Sequence, residues 1–391
     1  MNPPPSNPAV NQRFTIDGSH ELEARLAQTC EGVTAGVQKI IPANELEAIA
    51  LGGGYGRGQG GVLKTEAGDQ PYNDLEFYVF VRGNTMLNDQ RFRNSLAALG
   101  DELSPEAGLH VEFKIIAAEQ LRQSSVTMFS YDLAAGHRMV FGDEEVFAGC
   151  EAHRAAEKIP LHEATRLLFN RCSGLLFAAD RFRKPALTPD DVDFIGRNTA
   201  KAQLGLGDAV LTVFGQYDWN VLERQTRLEK LSVSDSLPWL GEIARHHAAG
   251  VEFKLHPRRS QPTNTNLRAK HAEISALAQT VWRWLENRRL GTQFRSVQEY
   301  ALNGDNKCPE TSALKNCLLN LRTFRARMVF HPALGRYPRE RLLRALPLLL
   351  WHADEVREPA LRDHLREQLV TGATEWAELL AAYTRLWQRY S

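Results

Sequence analysis

The sequence predicts an α+β protein in which a small mixed-sheet domain precedes an all-helical one. Three observations predict it. Short segments between residues 47 and 116 alternate apolar and polar side chains, the period of a half-buried strand. After about residue 155 that alternation fades and long 3.6-residue periods take over. The charge divides in the same place. Residues 1–150 carry 11 Lys and Arg against 20 Asp and Glu, and residues 151–391 carry 36 against 27, so an acidic half precedes a basic one in a chain of zero formal charge.

The 391 residues suffice for two domains, expected at 19–154 and 155–391 behind a disordered tail at 1–18. The stretch Met1 to Val10 is proline-rich and lacks the basic-then-apolar order of a signal peptide. No apolar run reaches the ~18 residues that span a bilayer, so no membrane partner is expected. Five cysteines, an odd number with no CxxC pair, argue against a disulfide framework or zinc cluster and for a reducing cytoplasm.

Glu21 to Ile41 has the amphipathic period of a helix. Glu47 to Gly52 is a short apolar run ending in glycine, expected as a buried strand, and a glycine-rich stretch and a polar loop through Pro71 follow it. Leu75, Phe77, Val79 and Val81 alternate with Glu76, Tyr78 and Phe80 to mark a strand, and Leu109 to Ile116 alternates again. Asn88 to Glu102 reads as a helix between them, and Arg138 to Phe141 as a candidate fourth strand. Helices are expected near 161–180, 188–215, 263–288, 309–329, 337–352 and 372–389, punctuated by prolines. The polar, basic stretch Lys254 to His271 reads as a long loop.

The chemistry concentrates near the second strand. Asp74 and Glu76 lie two apart, so the period of two points both carboxylates to one face. Such a pair repels itself, and Mg²⁺ relieves it by taking hard oxygen ligands from one or two carboxylates plus substrate phosphates. An exposed polar strand face is the plain alternative. Glu112 sits on the next predicted strand between Val111 and Phe113 and reaches the same site if the strands are neighbours; otherwise it pairs with Lys114 on its own face. Upstream, Leu51-Gly-Gly-Gly-Tyr-Gly-Arg-Gly-Gln-Gly-Gly61 can bring backbone N–H groups of Gly52, Gly53 and Gly54 close to phosphates, with Arg57 as a cation for them. The run Gly56 to Gly61 also fits the G-x-G-x-x-G of a dinucleotide-binding fold. That fold needs a full helix after the glycines, and Gly60, Gly61, Gly68 and Pro71 leave room for a turn or two.

Residues 51–81 resemble the signature of the DNA polymerase beta-like nucleotidyltransferase superfamily. The matching features are Leu51-Gly52-Gly53, the acid-x-acid strand Asp74-Leu-Glu76 and the third acid in Val111-Glu112-Phe113. The helical half is similar to that of the small-molecule branch, such as aminoglycoside nucleotidyltransferases. Tyr131-Asp132-Leu133 with Val140 to Asp143 resembles a strand-and-turn element after the third acid there. Two departures stand out: the second acid is Glu where Asp is commoner, and the glycine run lacks a serine.

The resemblance implies Mg²⁺ or Mn²⁺ as cofactor and a nucleoside triphosphate, ATP first, as co-substrate. Asp74 and Glu76 would hold the metal, Glu112 would hold a second metal or act as base, and the glycine loop would seat the terminal phosphates. Lys201, two turns from Asp208 on a predicted helix, could reach the triphosphate; an exposed lysine is the plain reading. The acceptor is expected to be a small molecule or a protein hydroxyl. No concentrated basic groove points to nucleic acid, which ranks a polymerase or tRNA-modifying enzyme lower. A non-catalytic nucleotide- or partner-binding module on the same fold is the alternative; the presence of all three acids favours the enzyme.

Overall fold

The computed structural model describes residues 13–232, 237–259, 266–325 and 333–390. Most of the expected tail, residues 1–12, lies outside them, but Phe14 and Thr15 are buried. The chain forms two compact units. One comprises Met1–Pro160, Phe214–Ser236 and Ala248–Arg258; the other comprises Leu161–Val213, Leu237–His247 and Arg259–Ser391.

In the first unit, helix α1 spans His20–Ile40. The Ser19 side chain caps it by accepting from the Leu22 N–H, and Glu21 and Glu23 favour its positive end. Its stripe of Leu22, Leu26, Val33 and Val37 is buried. Strand β1 (Leu46–Leu51) leads into a four-residue turn of helix, α2 (Gly53–Gly56). A small hairpin, β2 (Val62–Thr65) with β3 (Gly68–Pro71), occupies the segment expected as loop. Then come β4 (Leu75–Val81), α3 (Thr85–Ala107), β5 (Val111–Ile116), the short helices α4 (Ala118–Gln123) and α5 (Met128–Ala135), and β6 (Arg138–Phe141). Asn84 caps α3, and Gly108 ends it at φ +76° in the left-handed region. Tyr131, Asp132 and Leu133 lie on α5, so the strand-and-turn reading of that segment is corrected: a Thr127–Ser130 capping box starts a helix there.

The sheet order is β5-β4-β1-β6. Strand β1 runs antiparallel to both β4 and β6, and β4 runs parallel to β5. One face buries Ile49, Leu51, Leu75, Phe77, Val79 and Val111 with the apolar stripes of α1 and α3. The other packs Ala48, Ala50, Tyr78 and Phe80 against Leu121, Leu133 and Phe147. The four-residue helix and the hairpin after the glycines, with antiparallel β1 and β4, exclude the dinucleotide-binding arrangement, which needs a parallel strand–helix–strand unit.

The second unit is helical, and among the described residues no strand follows β6. Its helices include α6 (Leu161–Arg181), α7 (Pro189–Val213), α10 (Leu267–Leu290), α11 (Val297–Leu302), α12 (Ala313–Phe324), α13 (Pro338–Trp351), α14 (Pro359–Leu369) and α15 (Trp376–Tyr390). Before α10 the chain forms α8 (Val221–Glu229) and α9 (Leu240–Leu255). The buried stripe Leu168, Phe169, Cys172, Leu175 and Leu176 lies on α6. The expected long loop at 254–271 is shorter: α9 extends to Leu255 and α10 begins at Leu267, while residues 260–265 lie outside the described ones. The same holds for 326–329 of the helix expected at 309–329.

Candidate active site

The site starts from the pairing of two strands. In the parallel ladder Glu76 stands directly beside Glu112, and Lys114 follows Glu112 on the same face. Two carboxylates side by side in a sheet repel each other. The Lys114 ammonium relieves this: it lies 3.5 Å from Glu76 Oε1 and 3.6 Å from Glu112 Oε2. The Tyr78 hydroxyl donates to Glu76 Oε2 at 3.0 Å. Burial pushes the Tyr78 phenol well above its ordinary range, and the Glu76 charge pushes it further, so it stays a donor. Asp74, expected on the strand, lies just before β4 begins at Leu75 and is exposed.

The antiparallel β1–β4 pair then brings the glycine loop to these acids. Leu51 ends β1 opposite Phe77, and the Gly52 N–H donates to the Glu76 carbonyl at 2.9 Å. Gly53 has φ +62°, where a side chain is strained, and a Cβ there would lie 3.6 Å from Glu76 Oε2. A Cβ on Gly52 would run into the Tyr78 ring, and one on Gly56 into the Leu51 carbonyl. The first amides of α2, at Gly53, Gly54 and Tyr55, have no intrahelical acceptor, and Gly52 supplies no side-chain cap. Tyr55 is buried beneath the loop; its hydroxyl donates to the Gly61 carbonyl at 2.8 Å and accepts from the Tyr72 N–H at 2.9 Å. Burial pushes that phenol up to about 12, with the Asp74 charge as a lesser cause. Loop and acids are thus neighbours at one end of the sheet.

The remaining expected residues have other positions. Arg57 turns to Asp132, 2.9 Å away, and donates to the Trp219 carbonyl at 3.3 Å, so its charge is already balanced. Asp132 also accepts from the Tyr217 hydroxyl at 3.2 Å. Gln59 holds the same returning segment, donating to Asn220 Oδ1 at 2.7 Å and accepting from the Val221 N–H at 3.0 Å. Lys201 is exposed on α7 of the helical unit, whereas Asp208 is buried there with its carboxylate 3.0 Å from His247 Nε2. Sequence reasoning missed Tyr78, which holds Glu76 from two residues along the same strand, and Tyr55, Gln59 and Tyr217, whose bonds reach residues 6 to 162 positions away. Lys114 was visible beforehand only as a same-face neighbour of Glu112; its bridge to Glu76 needed the strand register.

Glu76 and Glu112, side by side with Lys114 between them, form a pair of hard oxygen donors of the kind a divalent cation takes. They do not form a closed cage. Among the described residues, the group whose ligand atoms all lie within 4.8 Å of one another is Glu242, His246 and Glu273, in the helical unit.

No protein-family model matches the chain, and no curated protein does. Among solved structures, one match is the spectinomycin adenyltransferase AAD(9) from Enterococcus faecialis, determined with ATP and spectinomycin. It is 15% identical, with a TM-score of 0.35 over 64% of this chain and 98% of that one. A likeness of that size does not define a shared architecture.

Proposed function

We propose that the chain is a Mg²⁺-dependent nucleotidyltransferase that moves a nucleoside monophosphate from a triphosphate, ATP first, to a hydroxyl of a small molecule or a protein. The observation that carries the reading is the junction of the glycine loop with Glu76 and Glu112, made by one antiparallel and one parallel strand pairing. Asp74 and Glu76 would hold the cation, and Glu112 would either join them or take the proton from the acceptor hydroxyl. Mg²⁺, when bound, supplies charge neutralisation on the triphosphate. The Tyr78 hydroxyl fixes the Glu76 carboxylate, and the Gly53 and Gly54 amides, without intrahelical acceptors, would donate to phosphate oxygens. As the acceptor oxygen bonds to the α-phosphorus, the bond to the bridging oxygen of pyrophosphate breaks. Arg57, held by Asp132, would support the loop rather than meet a phosphate.

Lys114 favours a second reading, a non-catalytic nucleotide- or partner-binding module, because it already offers the two acids one positive charge. One experiment separates the two. If Glu112 is the base, Glu112→Gln keeps Mg²⁺-dependent ATP binding but loses about 10²–10⁴-fold in turnover. Asp74→Asn weakens the binding itself, because a ligand loses its charge. The measurement is calorimetry with and without chelator beside a transfer assay on labelled triphosphates. Metal-dependent binding with no transfer to any acceptor in a cell extract would establish the module; full transfer by Glu112→Gln would remove it as base.

A further inference from the structure

We propose that Glu242, His246 and Glu273 form a metal site in the helical unit for a borderline divalent cation of the zinc class. Glu242 and His246 lie four apart on α9, one turn along the same face, and Glu273 comes from α10. One ligand atom from each lies within 4.8 Å of the others. His246 Nε2 points at Glu273 Oε1, 3.1 Å away. One imidazole nitrogen with two carboxylate oxygens suits Zn²⁺, Mn²⁺ or Co²⁺, whereas Mg²⁺ and Ca²⁺ favour oxygen alone.

The imidazole is gripped from behind, as ligating histidines are. His246 is 7% exposed, and its Nδ1 lies 3.0 Å from Nε2 of Gln203, a residue of α7 that is 1% exposed. Ligation through Nε2 places the ring proton on Nδ1, and a half-turn of the Gln203 amide presents its oxygen to accept that proton. A buried amide fixes the ring orientation, while the half-exposed carboxylates leave an approach from solvent.

One cation already stands there. Arg245 lies 3.5 Å from Glu242 and 3.6 Å from Glu273, but its side chain is 68% exposed, so water can solvate it in place of the carboxylates. A surface ion-pair network centred on Arg245 is the competing account, and the two differ in what Arg245 does to metal uptake. As a ligand set, the trio would tie α9 to α10 beside α7.

The test is titration of the full chain, freed of metal by chelator, with CoCl₂, followed by calorimetry and by the visible absorption of protein-bound Co²⁺. A background of Asp74→Asn, Glu76→Gln and Glu112→Gln removes the contribution of the sheet acids, so failure here leaves the proposed transfer reaction untouched. One equivalent of Co²⁺ should bind, and Glu273→Gln and His246→Gln should each weaken binding about tenfold or more. Arg245→Gln should tighten it several-fold, because a competing charge leaves. Far-ultraviolet circular dichroism checks that each variant is folded; Glu273, exposed, is the substitution least able to disturb the fold. Absence of Co²⁺ uptake, equal affinity in Glu273→Gln, or weaker binding in Arg245→Gln would overturn the proposal.

Discussion

Lys114 is the residue on which the site turns. Parallel pairing places Glu76 and Glu112 side by side, and one ammonium between them offsets their repulsion. All three side chains are more than a third exposed, so water screens the interaction and it contributes at most about 1 kcal/mol. Lys114→Met should therefore lower the melting temperature only slightly in chelator, with Mn²⁺ restoring it. Divalent affinity should rise, because the resident cation no longer competes for the same oxygens. Thermal melting and calorimetry with Mn²⁺ check both, and unchanged Mn²⁺ affinity would exclude Lys114 from the metal-binding strip. Glu112 itself is legible from sequence as an acid in an apolar strand. Its neighbour is not, because the parallel register sets it.

At the scale of the element, the glycine loop combines two demands that substitutions can separate. Gly56 makes room for the Leu51 carbonyl, a backbone atom of β1 that cannot move without disturbing the strand. Gly56→Ala should act through the fold, costing about 1–3 kcal/mol as overpacking does. Gly53 is needed for its positive φ beside Glu76, and a methyl there would make only an ordinary contact, 3.6 Å to Glu76 Oε2. Gly53→Ala should cost about 1–2 kcal/mol of strain, yet reduce nucleotide binding more than Gly56→Ala does at equal stability. Denaturant melts beside nucleotide calorimetry test the distinction; equal binding loss per unit of stability would make the loop purely structural. The hairpin β2–β3 escaped prediction because Lys64, Thr65, Glu66 and Gly68 are exposed, so no apolar alternation marks the strands. Helix α9 escaped for another reason: its buried positions mix Ile243, Val251 and Leu255 with His246, His247 and Gly250, so no clean apolar period marks it.

At the scale of the whole molecule, each unit has its own core, and the helical unit carries a built-in sensitivity to acid. His271 is buried on α10, its Nε2–H donating to the Leu175 carbonyl at 2.9 Å and its ring edge-on to Phe182. Burial holds its pKa below the ordinary 6.5. His364 is depressed in the same direction, by burial first and then by the Arg344 charge. Above 6.5 both are neutral folded and unfolded, so their contribution is complete. As pH falls through 6.5 the unfolded chain takes up protons that the folded one refuses, and stability falls until the depressed folded value is reached. Melting followed by circular dichroism should show a loss between about pH 7 and pH 5 that His271→Gln makes shallower; an unaltered slope would remove His271 from that account.

The sequence by itself determined the α+β division, the strands that carry Glu76 and Glu112, the glycine run and the helical second half. These are local properties: periods of two and 3.6 report which face of an element is buried, and they lie within a few residues. Only the tertiary structure decided which strands are neighbours. It set β1 antiparallel to β4, bringing the glycine loop to Glu76, and β4 parallel to β5, bringing Glu112 and Lys114 beside it. It also turned Arg57 to Asp132 and brought Asn220 back to Gln59, across separations that no sequence window contains. The physical reason is that strand pairing and ion pairing are interactions between distant segments. Their energies depend on register and chain path, and the identity of the residues alone does not specify either.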